Sequence, residues 1–224
     1  MSIKKDSFTC KEVINTSKKT RIDISMVTPL IFIGNQAAAD NIGTLQALQI
    51  ERLLRLRTEP SIVRPSCIKS VTLVKIEDIP TSDLRDCMEP CFVALLNAME
   101  KKERVLVHCH AGKSRSPAIV IAFLMWRYGI TLRNAYVHVE KARNGLIMNP
   151  TFKQQLFEYE QTLFGKNSVR YSEFCFDYIQ MHPFHKRVVE QQEREQQSQS
   201  TVKGLELKET TNSGVSQQTL ISNS

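Results

Sequence analysis

The sequence contains no apolar stretch long enough to cross a membrane. Its longest uninterrupted apolar run, Ala118 to Trp126, has nine residues, whereas a membrane-spanning helix needs about 20. The first residues lack the apolar segment of a secretory signal, residue 2 is not the glycine that myristoylation requires, and the last residues include no prenylation cysteine. We therefore expect an intracellular protein in the cytoplasm, with the nucleus as a second candidate compartment.

A disulfide scaffold is also absent from the sequence. The six cysteines stand at positions 10, 67, 87, 91, 109 and 175, without the dense, regular spacing of small secreted domains. Hydrophobic residues make up 42% and charged residues 24% of the chain, which excludes a collagen-like or wholly disordered protein. Lys and Arg number 30 against 23 Asp and Glu, a formal net charge of +7, and this predicts an anionic partner.

The two ends of the chain differ in composition from the middle. Residues 187–224 contain no aromatic residue, and half of these 38 positions are Gln, Asn, Ser or Thr. Such a segment buries too little apolar surface to offset its ordering entropy, so a disordered polar tail is predicted. Residues 1–25 are polar and lysine-rich and are predicted to be flexible, which leaves 26–165 as a single packed domain. The aromatic-rich stretch 166–186 is an extension whose packing the sequence leaves open.

Strand-like and helical patterns alternate within the predicted domain. Four runs are typical of strands, at 30–33, 50–56, 71–76 and 104–108. Apolar residues at 84, 88, 91, 95 and 99 predict an amphipathic helix, and three more helices are predicted at 115–128, 131–143 and 150–164. Asn149 is expected to cap the last of these rather than contact a functional loop. The alternation predicts an α/β fold with a central, mostly parallel sheet of four or five strands flanked by helices.

One loop carries the residues with the clearest chemistry. Positions 108–117 read HCHAGKSRSP and join a predicted buried strand to a predicted helix, where backbone N–H groups and the positive helix end converge into an anion site. Gly112 allows the loop to turn tightly. If the loop curls around an anion, the Cys109 sulfur lies at its floor and the Arg115 guanidinium at its rim. A thiolate stabilised there is a nucleophile toward a bound phosphate, which predicts a phosphocysteine intermediate.

The leaving oxygen of a phosphate ester needs a proton, and Asp78 is the predicted donor. Asp78 follows the third predicted strand and precedes Cys109 by 31 residues. Because the carboxyl ends of parallel strands meet at one edge of a sheet, both residues are expected at that edge. Asp83 is the next candidate for the same duty, and Glu77 and Asp86 are weaker ones.

The stretch His108-Cys109-x5-Arg115-Ser116 is similar to the signature of cysteine-dependent dual-specificity phosphatases. Two further segments, 31–38 and 148–156, also resemble segments of that family, so the resemblance covers about residues 26–164. It implies a protein tyrosine phosphatase-like α/β fold of the small atypical type.

The resemblance also implies a role for each residue of the loop. Cys109 would be the nucleophile, Arg115 the phosphate clamp and Asp78 the general acid. Ser116 would hydrogen-bond the sulfur and ease breakdown of the phosphoenzyme, while His108 would orient the loop. The implied substrate-binding residues are His110, Ala111, Gly112, Lys113, Ser114 and Ser116.

Two alternatives to a protein phosphatase remain open. The region Arg52–Pro65 is similar to a pseudophosphatase relative, the phosphoserine/threonine/tyrosine-interacting protein, which would make this chain a non-catalytic phosphoprotein-binding scaffold. That relative lacks the nucleophilic cysteine, however, and this chain has Cys109. The second alternative is a phospholipid phosphatase. The paired basic residues His110 and Lys113 resemble those in the loops of the family branches that act on phosphoinositides and other phospholipids.

The favoured interpretation is hydrolysis of phosphotyrosine and of phosphoserine or phosphothreonine in proteins. The expected partners are therefore phosphorylated proteins, with a protein kinase among the candidates. Because basic residues gather at one phosphate loop, phosphate on a substrate is favoured over nucleic acid as the anion. We expect no metal and no other cofactor.

Overall fold

The structure is a computed structural model that describes residues 21–58 and 64–176. The chain divides into two units, residues 1–175 and 176–224, and every element below lies in the first. The strands are β1 (Ile24–Met26), β2 (Ile31–Gly34), β3 (Ile50–Leu56), β4 (Ser70–Val74) and β5 (Arg104–His108). The helices are α1 (Gln36–Asp40), α2 (Ile42–Ala47), α3 (Arg85–Glu100), α4 (Arg115–Tyr128), α5 (Leu132–Ala142), α6 (Pro150–Phe164) and α7 (Tyr171–Phe174).

The five strands form one sheet in the order β1-β2-β5-β3-β4. Neighbouring strands from β2 to β4 run parallel, and only the edge pair β1–β2 is antiparallel. In the central register, His108 at the end of β5 lies between Gly34 of β2 and Arg55 of β3. The mostly parallel sheet predicted from the sequence is confirmed, and its parallel strands all end at the same edge.

Apolar side chains alternate between the two faces of the sheet. Val105 and Val107 of β5 contribute to a large core with α3, α4, α5 and α6, whereas Leu106 between them contributes to a smaller cluster with α1 and α2. This alternation follows from the two-residue period of a strand. Helix α4 is buried along ten consecutive residues, 116–125, so it is the central helix of the larger layer. Its amino terminus is thereby fixed at the end of β5.

The ordered sheet begins earlier than the sequence indicated. The predicted flexible segment ended at residue 25, but β1 starts at Ile24, which pairs with Gly34. The strand forms because Ile22 and Ile24 pack against the smaller apolar cluster. The sequence did not predict this contact, because most of the residues around them are polar. The short helices α1 and α2 were not predicted either. Each begins at an asparagine whose side chain accepts a backbone N–H, Asn35 for α1 and Asn41 for α2.

The first part of the aromatic-rich extension packs on the domain. Phe174 makes an edge-to-face contact with Tyr136, and Tyr171 makes one with Phe157. The rest of that extension, the predicted tail 187–224 and residues 1–20 lie outside the described residues. Within the described ranges, none of the helices has both the length and the apolar character that crossing a membrane requires.

Candidate active site

Residues 109–114 form the loop between β5 and α4, at the carboxyl edge of the parallel strands. The carbonyl groups of residues 110–113 all point away from the centre of the loop, because each accepts a hydrogen bond from outside it. The pairs are Gln36 N–H to His110 at 3.0 Å, Arg143 Nη2 to Ala111 at 3.2 Å, Arg143 Nε to Gly112 at 2.6 Å, and Ile147 N–H to Lys113 at 3.1 Å.

This arrangement turns the opposite side of each peptide inward. In a planar trans peptide the N–H of one residue points opposite to the carbonyl of the preceding residue. The N–H groups of residues 111–114 therefore face the centre of the loop, next to the positive end of the α4 dipole. Such a ring of donors is an anion site, and its geometry suits a phosphate.

Cys109 lies at the base of this ring. Its side chain is buried, and its sulfur accepts hydrogen bonds from the Gly112 N–H at 3.2 Å and from the Ser116 hydroxyl at 3.3 Å. These two contacts hold the sulfur at the base of the ring. The contact between Ser116 and the sulfur is the one that the resemblance implied.

Arg115 is held at the rim of the loop by backbone groups of two neighbouring strands. Its Nη1 donates to the carbonyls of Leu56, at the end of β3, and Ile76, just after β4, at 3.3 and 3.4 Å. Its Nε lies 3.5 Å from Oδ2 of Asp78. Because the strands are parallel, their ends fix the guanidinium beside the donors of the loop.

Asp78 is the carboxylate that the fold brings to the loop. Its Oδ1 accepts a hydrogen bond from the Ser114 hydroxyl at 2.8 Å, and its side chain keeps about a third of its surface exposed. Asp83 instead forms an ion pair with Arg85, with the Nη2–Oδ2 distance at 2.8 Å, and this contact lowers the pKa of Asp83. Glu77 and Asp86 are exposed. Of the four candidates for the general acid, Asp78 is therefore the one whose side chain contacts residues of the loop and its rim, Ser114 and Arg115.

His108 is the last residue of β5, directly before the loop, and its side chain is uncharged. It is fully buried beside Arg55, and its Nδ1 lies 3.4 Å from the Cys109 carbonyl. Burial, reinforced by repulsion from the Arg55 charge, lowers the pKa of His108 to about 3. The imidazole is therefore neutral at physiological pH.

The basic residues of the loop differ in exposure. His110 is exposed and Lys113 is partly exposed, whereas Gly112 and Ser114 are buried. Gly112 has φ +70°, and a Cβ atom there would lie 2.5 Å from the Gly34 carbonyl oxygen. Glycine is required at this position because the close approach of the β2 backbone leaves no room for a Cβ atom, and the left-handed conformation also favours glycine.

The expectation that Asn149 would cap a helix rather than contact the functional loop is only half right, because this residue does both. Its side chain caps α6 by accepting the Thr151 N–H at 2.9 Å, and its backbone N–H donates to the Ser114 hydroxyl oxygen at 2.9 Å. The Ser114 hydroxyl therefore connects the start of α6 to the Asp78 carboxylate.

The loop and the carboxylate beside it lie within a segment that matches a known protein family. The family described as "Dual specificity phosphatase, catalytic domain" matches residues 31–162, which include Asp78 and the whole loop. The chain belongs to the dual specificity phosphatase family. The resemblance of the loop sequence to this family is thus confirmed.

Individual dual specificity phosphatases agree with the family match. Human dual specificity protein phosphatase 18 is 33% identical over 146 residues, which cover 65% of this chain and 77% of that protein. A crystal structure of a mouse dual specificity phosphatase complexed with zinc tungstate has a TM-score of 0.60 at 31% identity, and the match covers 68% of this chain and 96% of that one. The human tyrosine phosphatase-like serine/threonine/tyrosine-interacting protein has a TM-score of 0.57 at 27% identity, with 63% and 98% covered.

Two side chains of this dual specificity phosphatase site were not singled out from the sequence. Arg143 follows the last turn of α5, where a basic residue is ordinarily solvated and favourable to the helix dipole. Asp23 lies in a polar segment that was predicted to be flexible. The structure brings both to the back of the loop, 120 positions apart in the chain. No local sequence pattern predicts such a contact, since it depends on how distant parts of the chain fold together.

Proposed function

We propose that this chain is a protein phosphatase that hydrolyses phosphotyrosine and phosphoserine or phosphothreonine through a phosphocysteine intermediate. The observation that supports it most directly is the Cys109 sulfur at the base of a ring of inward N–H groups. Arg115 and Asp78 stand at the rim of the same ring. A phosphoryl group bound by these donors would present its phosphorus to the sulfur.

In the first step, the Cys109 thiolate attacks phosphorus, an S–P bond forms, and the bond between phosphorus and the substrate oxygen breaks. Asp78, in its protonated form, transfers a proton to that departing oxygen. Arg115 binds two of the phosphoryl oxygens and, with the loop N–H groups, stabilises the charge in the transition state.

In the second step, water attacks the phosphocysteine, and the Asp78 carboxylate accepts the proton of that water. The S–P bond breaks and its electrons return to sulfur, so inorganic phosphate leaves and the Cys109 thiolate is restored. The Ser116 hydroxyl, 3.3 Å from the sulfur, stabilises this thiolate as it forms.

The test is phosphate release by the full chain from three substrates of equal concentration: a phosphotyrosine peptide, a phosphothreonine peptide and vesicles containing a phosphoinositide. We expect release from both peptides, and its loss in Cys109→Ser and in Arg115→Lys. Binding of the peptides without release would favour the scaffold alternative. Release from the vesicles alone would favour the lipid alternative, for which His110 and Lys113 are the supporting residues.

A further inference from the structure

A buried guanidinium holds the back of the phosphate loop. The Arg143 side chain is 2% exposed, and its Nε and Nη2 donate to the carbonyls of Gly112 and Ala111. These are the two peptide groups whose opposite sides turn the N–H groups of Lys113 and Gly112 toward the centre of the loop. The orientation of Arg143 therefore determines how two of the inward donors are aimed, and one of them, the Gly112 N–H, contacts the Cys109 sulfur.

The orientation of Arg143 is in turn fixed by a carboxylate. Asp23 accepts from Arg143 through both oxygens, with Nη1–Oδ1 at 3.0 Å and Nη2–Oδ2 at 2.8 Å. This bidentate pairing fixes the plane of the guanidinium as well as its position. Further contacts of Nη1, with the Ser25 hydroxyl at 3.4 Å and the Ile33 carbonyl at 3.5 Å, are longer and leave Asp23 as the strongest partner on that side.

The backbone of Asp23 is itself held by Asn35. Its carbonyl accepts the Asn35 N–H at 2.9 Å, and its own N–H donates to the Asn35 side chain. Asn35 is buried and also caps α1. The carboxylate is thus part of a continuous chain of contacts that runs from the start of α1, through Asp23 and Arg143, to the carbonyls of the loop.

We infer that Asp23 is a positioning residue for the phosphate-binding loop and acts on it through Arg143. Its charge neutralises a buried cation, and its two oxygens hold that cation in the plane from which it can reach both loop carbonyls. Without the second charged oxygen, the guanidinium is free to turn toward the remaining acceptors, and the Gly112 and Lys113 peptides lose part of their alignment. The inference rests on the proposed function only in requiring that the loop binds a tetrahedral oxyanion.

The test compares the full chain with Asp23→Asn, Asp23→Glu and a matched control, Asp40→Asn. Asp40 is an exposed carboxylate at the end of α1 that pairs with Gln36, so its substitution removes the same charge from a neighbouring element without touching Arg143. The readouts are the affinity for inorganic tungstate, the rate at which iodoacetate alkylates Cys109 at fixed pH, kcat and KM on a phosphotyrosine peptide, and the unfolding temperature.

We expect Asp23→Asn to weaken tungstate binding and slow Cys109 alkylation by about 3- to 10-fold. This is less than the roughly hundredfold that a 1 Å misplacement can cost, because Gln36 and Ile147 still hold the other two carbonyls of the loop. Asp23→Glu, which keeps both charged oxygens, should recover part of the loss. Asp40→Asn should behave like the unsubstituted chain. Since the Asp23 carboxylate is 45% exposed, the asparagine variant is expected to fold.

An outcome in which Asp23→Asn lowers only the unfolding temperature, with tungstate affinity and alkylation unchanged, would overturn the inference in favour of a purely structural ion pair. Equal effects of Asp23→Asn and Asp40→Asn would overturn it too, because general charge would then explain the result. If the unsubstituted chain released no phosphate from peptides, the proposed function would fail, but tungstate affinity and alkylation would still decide the role of Asp23.

Discussion

A methyl group at position 112 would clash with the backbone of Gly34 and with the guanidinium of Arg143. The Cβ atom of alanine would lie 2.5 Å from the carbonyl oxygen and 2.7 Å from the carbonyl carbon of Gly34, and 2.7 Å from Nη2 of Arg143. Gly34 belongs to β2, which pairs with β1 on one side and β5 on the other, so it cannot move away without disturbing both pairings. The substitution Gly112→Ala should therefore displace the loop rather than be accommodated by it.

The magnitude has two parts, and a second glycine separates them. A left-handed backbone conformation costs a residue other than glycine about 1–2 kcal/mol, and overpacking adds about 1–3 kcal/mol. Gly112→Ala should therefore lower the free energy of unfolding by about 2–5 kcal/mol. At Gly145, where φ is +76°, no atom of the described residues lies within 4 Å of the place that a Cβ would take. Gly145→Ala should therefore cost only the backbone part, about 1–2 kcal/mol.

Urea unfolding of both variants measures the two costs, and phosphate release from a phosphotyrosine peptide measures the consequence for the loop. We expect Gly112→Ala to be the less stable variant and to lose most of its activity. Gly145→Ala should keep most of its activity under conditions where it is folded. Equal stability losses in the two variants, together with full activity in Gly112→Ala, would refute the close approach of the loop to β2.

Three further predictions concern other groups. Asp78→Asn should slow hydrolysis of alkyl phosphates, whose alkoxide is a poor leaving group, by about 10²- to 10⁴-fold. Hydrolysis of aryl phosphates should slow far less. An equal loss on both substrates, or a larger loss in Asp83→Asn, would show that Asp78 is not the general acid. The pKa of His108 is about 3 in the folded chain and about 6.5 in the unfolded chain. The contribution of His108 to the free energy of unfolding should therefore decline as the pH falls from 6.5 to 3, by at most about 1.4 kcal/mol per pH unit. Urea titrations that show the same pH slope in His108→Asn would contradict this. Glu160 is buried and accepts hydrogen bonds from the Leu132 N–H, the Ser168 N–H and the Ser168 hydroxyl. Glu160→Gln should therefore cost about 1–3 kcal/mol in thermal or urea unfolding. A cost no larger than that of the exposed control Glu158→Gln would show that these hydrogen bonds do not stabilise the fold.

The central sheet and the loop were predictable because their signals are local. A nearly continuous apolar run identified β5, and the glycine and the closely spaced cysteine and arginine identified the anion site that follows it. The position of Asp78 followed from topology, since parallel strands place their carboxyl ends at one edge. Its separation from the other carboxylates needed the structure, which showed Asp83 paired with Arg85 and Asp78 bonded to Ser114.

The support behind the loop was not predictable from the same sequence. The strand β1 has three residues, too few for an alternating pattern to stand out from a polar neighbourhood. Arg143 was indistinguishable from a solvated residue at a helix end, and it is buried because its guanidinium contacts Asp23 and the Ala111 and Gly112 carbonyls of the loop. The contacts of Asp23 and Arg143 join positions far apart in the chain, and only the tertiary fold specifies them.

The most direct test of the proposed mechanism is to trap the intermediate on Cys109. The full chain would be mixed with a phosphotyrosine peptide, quenched with acid within the first turnover, digested, and analysed by mass spectrometry for a phosphorylated cysteine peptide. The mechanism predicts a phosphoryl group on Cys109 that accumulates further in Ser116→Ala, where the returning thiolate loses its hydroxyl donor, and that is absent in Cys109→Ser. Phosphate release that continues in Cys109→Ser, or a phosphoryl group trapped on another residue, would contradict it.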